Sequence, residues 1–384
     1  MKIICVVTSG RWDYGHLSPV MREINKSKHL GLDIIAPSNH PCIGDEYMDG
    51  TLKYVSAINS IEDYGFFYRD CLQQFIYNKP DVVMLLGDRW EIHAAATAAL
   101  LSNIPIAHIH GGEVTEGAFD DEIRNSISMM ATWHFAATLK YAKHLLNMTQ
   151  YAYKQGDRID ETGIFVTGSP GCDDIKNVRQ RSIAELKDDF YIDLHKPFII
   201  AIFHPVTKEL KHVRQQITNL LNALYRWGEQ VIFIMPNIDP ENEAIRGEVR
   251  KAAAYFLAKW QICEDIPHEV FLSLMKYATM MVGNSSSGIV EAAYFNLPVI
   301  NIGTRQGGRS KSSNVFDCGY GEEDIFIKIG ELRTMRGLYE SGEVPITKPH
   351  VEGNAAEEIV KILVRKLFPA SESNPSGCGV ESGD

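Results

Sequence analysis

Short apolar runs rich in β-branched residues and ending in Gly, Asp or Pro alternate along the chain with longer stretches whose apolar positions recur at helical spacing. Such alternation predicts repeated βαβ units, and therefore a parallel sheet covered by helices on both faces. In the first half the runs predict strands over residues 3–8, 33–36, 81–86, 106–109, 135–137 and 164–167. The pattern restarts with strands over 197–203, 230–235, 260–263, 279–282 and 299–302. Between the two sets lies a charged, mixed-polarity stretch, 179–196, with no strand-like run, which places the inter-domain connection near 170–196. The expected architecture is α/β, with two Rossmann-like doubly wound domains facing a cleft. The first spans 1–170. The second spans 171–368 and includes a closing helix over 351–368. Residues 369–384, rich in Ser, Gly, Pro and Glu, have too little apolar surface to offset ordering and are expected to be disordered.

Composition narrows the partners. The chain has 384 residues, 45% hydrophobic and 23% charged, which suits two soluble domains. With 38 basic against 49 acidic residues its formal charge is -11, which disfavours a broad nucleic-acid surface. An anionic ligand must then be held locally. Seven scattered cysteines with no Cys-x-x-Cys pair argue against a disulfide framework and a thiolate zinc site, so a reducing, cytoplasmic setting is expected. No signal-peptide layout and no run of membrane-spanning length appears, so no membrane partner is expected.

In a parallel α/β sheet the ligand lies beyond the carboxyl ends of the strands, and the polar signatures of this chain fall there. Thr8-Ser9-Gly10-Arg11-Trp12-Asp13-Tyr14-Gly15 follows the first strand, Gly87-Asp88-Arg89 another, and His110-Gly111-Gly112-Glu113 a third. Asp88 behind its apolar strand either caps the next helix or projects into the cleft; the company of Glu113, Asp120 and Asp121 favours the second role. Neighbouring carboxylates push one another's pKa values apart and so supply both a base and an acid. His108 and His110 alternate at strand spacing, which predicts both rings on one side. No third ligand stands at a suitable spacing, so no metal is expected. In the second half His204 ends a strand opposite the first domain. The turn Gly283-Asn284-Ser285-Ser286-Ser287-Gly288 offers hydroxyls and N–H groups to a phosphate. Glu291 lies within reach of ribose hydroxyls, and Arg305 and Arg309 add positive charge.

In this order the residues resemble the UDP-N-acetylglucosamine 2-epimerases, specifically the hydrolysing branch of sialic- and nonulosonic-acid synthesis. The resemblance extends to about residue 365. It is carried by Ser9-Gly10-Arg11 with Asp13-Tyr14-Gly15, Gly87-Asp88-Arg89, His108 to Glu113, and Asp120-Asp121 with Arg124. Further on it is carried by Phe203-His204-Pro205, Pro236-Asn237-Ile238-Asp239, Gly283 to Gly288 with Glu291, and Gly303-Thr304-Arg305-Gln306. It implies the GT-B fold, a UDP-sugar substrate, no cofactor and a homodimer. Catalytic carboxylates are implied at Asp88 and in the Asp120-Asp121 pair. UDP contacts are implied for Arg11, Arg89, His204, Asn237, Ser285, Ser286, Glu291 and Arg305. Many relatives carry Glu where this chain has His110, so that proton-transfer role passes to His110 or Glu113. Asn125 stands where relatives often have His, and Trp12 replaces a small residue; both bear on substrate shape.

The reaction the resemblance implies converts UDP-N-acetylglucosamine and water to N-acetylmannosamine and UDP through a 2-acetamidoglucal. The alternative sugar is UDP-N,N'-diacetylbacillosamine, giving 2,4-diacetamido-2,4,6-trideoxymannose. A non-hydrolysing epimerase, a GT-B glycosyltransferase and a non-catalytic nucleotide-sugar sensor are the competing readings.

Overall fold

The computed structural model describes residues 1–40, 52–116, 119–149, 163–177, 179–236, 241–256, 259–348 and 354–369. The first sheet comprises β1 (Lys2–Val7), β2 (Leu30–Pro37), β3 (Leu52–Val55), β4 (Val82–Leu86), β5 (Ile106–Ile109), β6 (Trp133–Ala136) and β7 (Ile164–Val166). Its order is β3-β2-β1-β4-β5-β6-β7, and its registered pairs are parallel. The second comprises β8 (Phe198–Ile202), β9 (Gln230–Ile234), β10 (Trp260–Cys263), β11 (Met280–Gly283), β12 (Val299–Ile302) and β13 (Val315–Cys318). Its order is β10-β9-β8-β11-β12-β13, again parallel.

Helices cover both faces of each sheet, which is why the central strands read as unbroken apolar runs. Val82 to Leu86 of β4 and Phe198 to Ile202 of β8 are buried at every position. Each of these side chains larger than Ala201 contributes on the order of 1.5–3 kcal/mol relative to exposure. In each sheet the chain winds one way from a first strand, returns, and winds the other. The reversal leaves a crevice between β1 and β4 in the first sheet and between β8 and β11 in the second.

Two strands escape the sequence pattern, β3 and β13. Both are four-residue edge strands whose half-exposed residues lack a continuous apolar run. The closing helix, Ala355–Leu367, also differs from expectation. Its Ala356, Ile359, Val360, Ile362 and Leu363 join the core of β1, β2 and the helix Arg11–Lys26, so it packs on the first sheet and not the second. The chain therefore crosses back after completing the second unit. Asp173 fixes the return: its carboxylate accepts from the Ala355 and Ala356 N–H groups at 3.1 and 2.7 Å, capping that helix from outside it. The tail from residue 370 onward lies outside the described residues. No helix among the described residues is long and apolar enough to cross a membrane.

Candidate active site

The two crevices face each other across a cleft of about 1150 Å³, its open mouth included. On the second unit's side, Gly283 ends β11 at φ 144°, a conformation that favours glycine, and a Cβ there would meet the Ile202 carbonyl oxygen at 1.8 Å. This close approach brings the ends of β8 and β11 together. The His204 N–H donates to Asn284 Oδ1 at 2.7 Å, and Asn284 Nδ2 donates back to the His204 carbonyl at 2.9 Å. Ser285 caps the short helix Ser286–Val290, its hydroxyl accepting from the Ser287 N–H at 3.3 Å. Arg305 and Gln306 donate to the Asn284 carbonyl at 3.1 and 2.8 Å, so the loop after β12 is tied to the same turn. His204, Ser285, Ser286, Glu291 and Arg305 all line the cleft.

Glu291 is 2% exposed, with its Oε1 3.8 Å from His16 Nε2 and 3.9 Å from His268 Nε2. Burial pushes its carboxyl pKa up, but the His268 hydrogen bond and the neighbouring imidazoles outweigh burial and hold it below the usual value. His16 comes from the first unit and His268 from the second, so this carboxylate sits at the seam. Sequence reasoning passed over both histidines. His16 lies five residues after Arg11 in the same segment, the one signal that pointed to it.

On the first unit's side the organising group is Arg124, 1% exposed on the helix Asp120–Met130. Its guanidinium pairs with Asp88, and donates to Asp121 Oδ1 at 2.7 Å, the Glu113 carbonyl at 2.7 Å and Thr115 Oγ1 at 2.9 Å. Burial, then the charges of Arg309 and Arg305, oppose its protonation. Two carboxylates supply the compensating charge. Asp88 therefore does not cap the following helix; Arg89 occupies the cap position without a side-chain bond, and its guanidinium grips buried Glu91 at 2.6 and 3.1 Å. Asp88, Arg89, His110, Glu113 and Asp120 line the cleft.

One expectation needs correction. His110 leaves β5 with φ 65°, a left-handed conformation that breaks the strand alternation, so His108 and His110 part company. His108 is wholly buried, its Nε2 2.8 Å from the Gly87 carbonyl and its Nδ1 3.1 Å from Ser128 Oγ. Burial lowers its pKa to about 4, so it is neutral, and a ring N–H aimed at Gly87 steadies the loop that carries Asp88. His110 alone reaches the cleft, with Nδ1 3.3 Å from Glu113 Oε1. Asp121, expected with Asp120 in the catalytic pair, is turned toward Arg124. It is not among the cleft-lining residues; its Oδ1 accepts from the Thr115 N–H at 2.6 Å and from Arg124, so it braces the site from behind. Being first in the helix, Asp120 faces the cleft, 4.0 Å from Arg305.

Arg11 begins the helix Arg11–Lys26, but its side chain lies outside the described residues, as does the whole of Asn237. Asp13, two residues on, lines the cleft and folds the loop before this helix by accepting from the Ser9 and Gly10 N–H groups at 2.6 and 2.9 Å. Among the described residues no three His, Cys, Asp or Glu side chains come together to hold a metal ion.

Two doubly wound parallel sheets facing a cleft at their reversal points define a two-domain α/β protein of the GT-B class. The structure is similar to an S. aureus MnaA–UDP co-structure (TM-score 0.76, 20% identity, 96% of this chain and 97% of that one). It is also similar to a Neisseria meningitidis UDP-GlcNAc 2-epimerase bound to UDP-GlcNAc (TM-score 0.75, 19% identity, 95% of this chain and 100% of that one). The family described as UDP-N-acetylglucosamine 2-epimerase matches residues 64–364, and the chain belongs to that family. Among its relatives, the GDP/UDP-N,N'-diacetylbacillosamine 2-epimerase (hydrolyzing) of Campylobacter jejuni is 32% identical over 84% of this chain and 85% of its own length. The UDP-N,N'-diacetylbacillosamine 2-epimerase (hydrolyzing) of Legionella pneumophila is 30% identical over 94% and 96%. A UDP-N-acetylglucosamine 2-epimerase of N. meningitidis is 31% identical over 89% and 90%.

Proposed function

We propose that the protein is a hydrolysing UDP-sugar 2-epimerase, which releases UDP from a 2-acetamido sugar and returns the sugar inverted at C2. The observation that carries this reading is the pairing of unlike lips across one cleft: carboxylates and an imidazole on the first unit, a serine turn with Arg305 on the second. Two relatives named as hydrolysing support the reaction type.

H2 of the substrate is not acidic at rest, so loss of UDP from C1 runs ahead and builds positive charge there. Ser285, Ser286, Arg305 and Arg89, with Arg11 as the resemblance implies, stabilise the charge on the leaving diphosphate. Glu291 and His204 hold the nucleoside end, with Asn237 a further UDP contact as the resemblance implies. Asp88 then takes H2, leaving the glycal; pairing with Arg124 keeps this carboxylate ionised and aimed. Water adds its oxygen to C1 and yields its proton to the Glu113 carboxylate, while His110, 3.3 Å from Glu113, returns a proton to C2 from the opposite face. Asp120 fixes Arg305 across the cleft, and Asp121 fixes Arg124.

The N. meningitidis relative supports N-acetylglucosamine as the sugar, whereas the C. jejuni and L. pneumophila relatives support the diacetamido sugar. Incubation with each UDP-sugar, followed by chromatography of nucleotides and mass spectrometry of the free sugar, tests the reading. Stoichiometric UDP and a free 2-epimer from one substrate support it; accumulation of a UDP-linked epimer assigns the non-hydrolysing reaction instead. A homodimer in a reducing compartment completes the reading, the first from the resemblance and the second from the scattered cysteines.

A further inference from the structure

The loop after β12 crosses from the second unit to the first and is bonded there along its length. The Glu116 N–H donates to the Gly307 carbonyl at 3.3 Å, Lys140 Nζ to the Gly308 carbonyl at 2.9 Å, and the Ser310 N–H to the Tyr141 hydroxyl at 2.9 Å. A Cβ on Gly307 would lie 2.5 Å from Glu116 Oε2, and one on Gly308, at φ 78°, would lie 2.5 Å from Val114 Cγ1. At Gly308 the positive φ and the branched Val114 side chain both call for glycine, whereas at Gly307 the crowded atom is the movable end of Glu116. At the end of this contact Arg309 Nη1 stands 3.2 Å from Glu113 Oε2, and Nη2 stands 3.5 Å from Thr115 Oγ1. Arg305, in the same loop, holds the Asn284 carbonyl beside the serine turn.

We propose that residues 304–310 are an interdomain latch and that Arg309 is a positioning residue, supplied by the second unit to orient and keep ionised the Glu113 carboxylate of the first. The inference rests on the proton-transfer role proposed for Glu113. Glu113 is 3% exposed, and a carboxylate so removed from water is costly without an opposite charge. Arg124 donates to its carbonyl at 2.7 Å, and His110, 3.3 Å from its carboxylate, is a cation only when protonated. The Arg309 guanidinium is permanent but belongs to the other unit, so the charge environment of Glu113 depends on closure. Because Arg305 and Arg309 share one loop, a nucleotide seated at the serine turn favours the arrangement that completes the acid–base lip.

Turnover and shape test this separately. Arg309→Met is expected to lower kcat by about 30-fold with KM changed less than about threefold, and Arg309→Lys to recover most of the loss. On a Glu113→Gln background Arg309→Met should add less than about a twofold further loss, since both changes disable one unit. Full multiplication of the two losses, or a Lys variant no better than Met, overturns the positioning role. Small-angle scattering of the full chain with saturating UDP reads the latch without any reaction. Gly308→Val, and the milder Gly308→Ala, should have a larger radius of gyration than wild type while keeping its circular dichroism spectrum. If neither sugar turns over, scattering alone decides: expanded variants sustain the latch although the epimerase reading has failed, and dimensions equal to wild type overturn it.

Discussion

The two lips of the cleft stand at equivalent points of equivalent sheets, yet they are built differently. On the second unit the site is main chain brought together by main chain and a single amide: Gly283 permits the approach of β8, and Asn284 and His204, 80 residues apart, bond reciprocally across the crevice. On the first unit it is side chain held by side chain. Arg124 reaches Asp88 from 36 residues away, and His108 reaches the Gly87 carbonyl from 21. The difference follows from what each lip must do. An anion asks only for donors, which a turn supplies; a carboxylate that moves protons needs a defined charge and direction, which only neighbouring charges and hydrogen bonds impose. Changes to the carboxylates of the first lip should therefore stop chemistry and spare binding, and changes to the serine turn and Arg305 of the second the reverse.

The sharpest break of that contrast is Asp88→Asn. Turnover should fall by roughly 10²–10⁴-fold while the Kd for UDP, by calorimetry, stays within about twofold. Retention of more than roughly a tenth of the rate, about 1.4 kcal/mol, removes Asp88 from the mechanism. Arg124→Leu leaves Asp88 and Asp121 without their buried cation and should lower stability by about 3–5 kcal/mol, read as a fall in the urea midpoint. Arg305→Ala should weaken UDP binding by roughly 10-fold, about 1.4 kcal/mol, with thermal stability little changed. An unaltered Kd would detach the loop after β12 from the nucleotide.

A separate effect concerns acid. His134, wholly buried in β6, has its pKa lowered by burial to about 3, and His108 to about 4. The unfolded chain binds a proton at each below pH of about 6.5 that the folded chain refuses, so stability falls as pH drops from there toward 4. His134→Leu should remove about 2 kcal/mol of the loss between pH 7 and pH 5, measured by urea unfolding at both. An unchanged difference would show that this histidine takes up its proton in the folded state.

How much of this was legible from residues alone depended on how local the cause was. The central strands were readable because burial on both faces makes an apolar run, and β10, β5 and β12 fall at the predicted residues. Edge strands β3 and β13, half exposed, carry no such run. The second lip could be read from Gly283 to Gly288 because its parts are adjacent in the chain. The first lip yielded its residue types but not their division of labour. Nothing in Asp120-Asp121 tells which carboxylate faces the cleft and which turns back to Arg124; helix direction decides it. Likewise the alternation of His108 and His110 held only while the chain stayed extended, and the left-handed turn at His110 ended it. His16 and His268, brought together at Glu291 across the seam, share no sequence pattern that pairs them.

The most direct measurement is proton NMR of the protein in D2O with UDP-N-acetylglucosamine and, in parallel, with UDP-N,N'-diacetylbacillosamine. Two proton-transfer groups on one lip and a leaving-group site on the other predict release of UDP together with a free 2-epimer carrying deuterium at C2. A free sugar that keeps its original C2 hydrogen and configuration would mean simple hydrolysis and contradict the account.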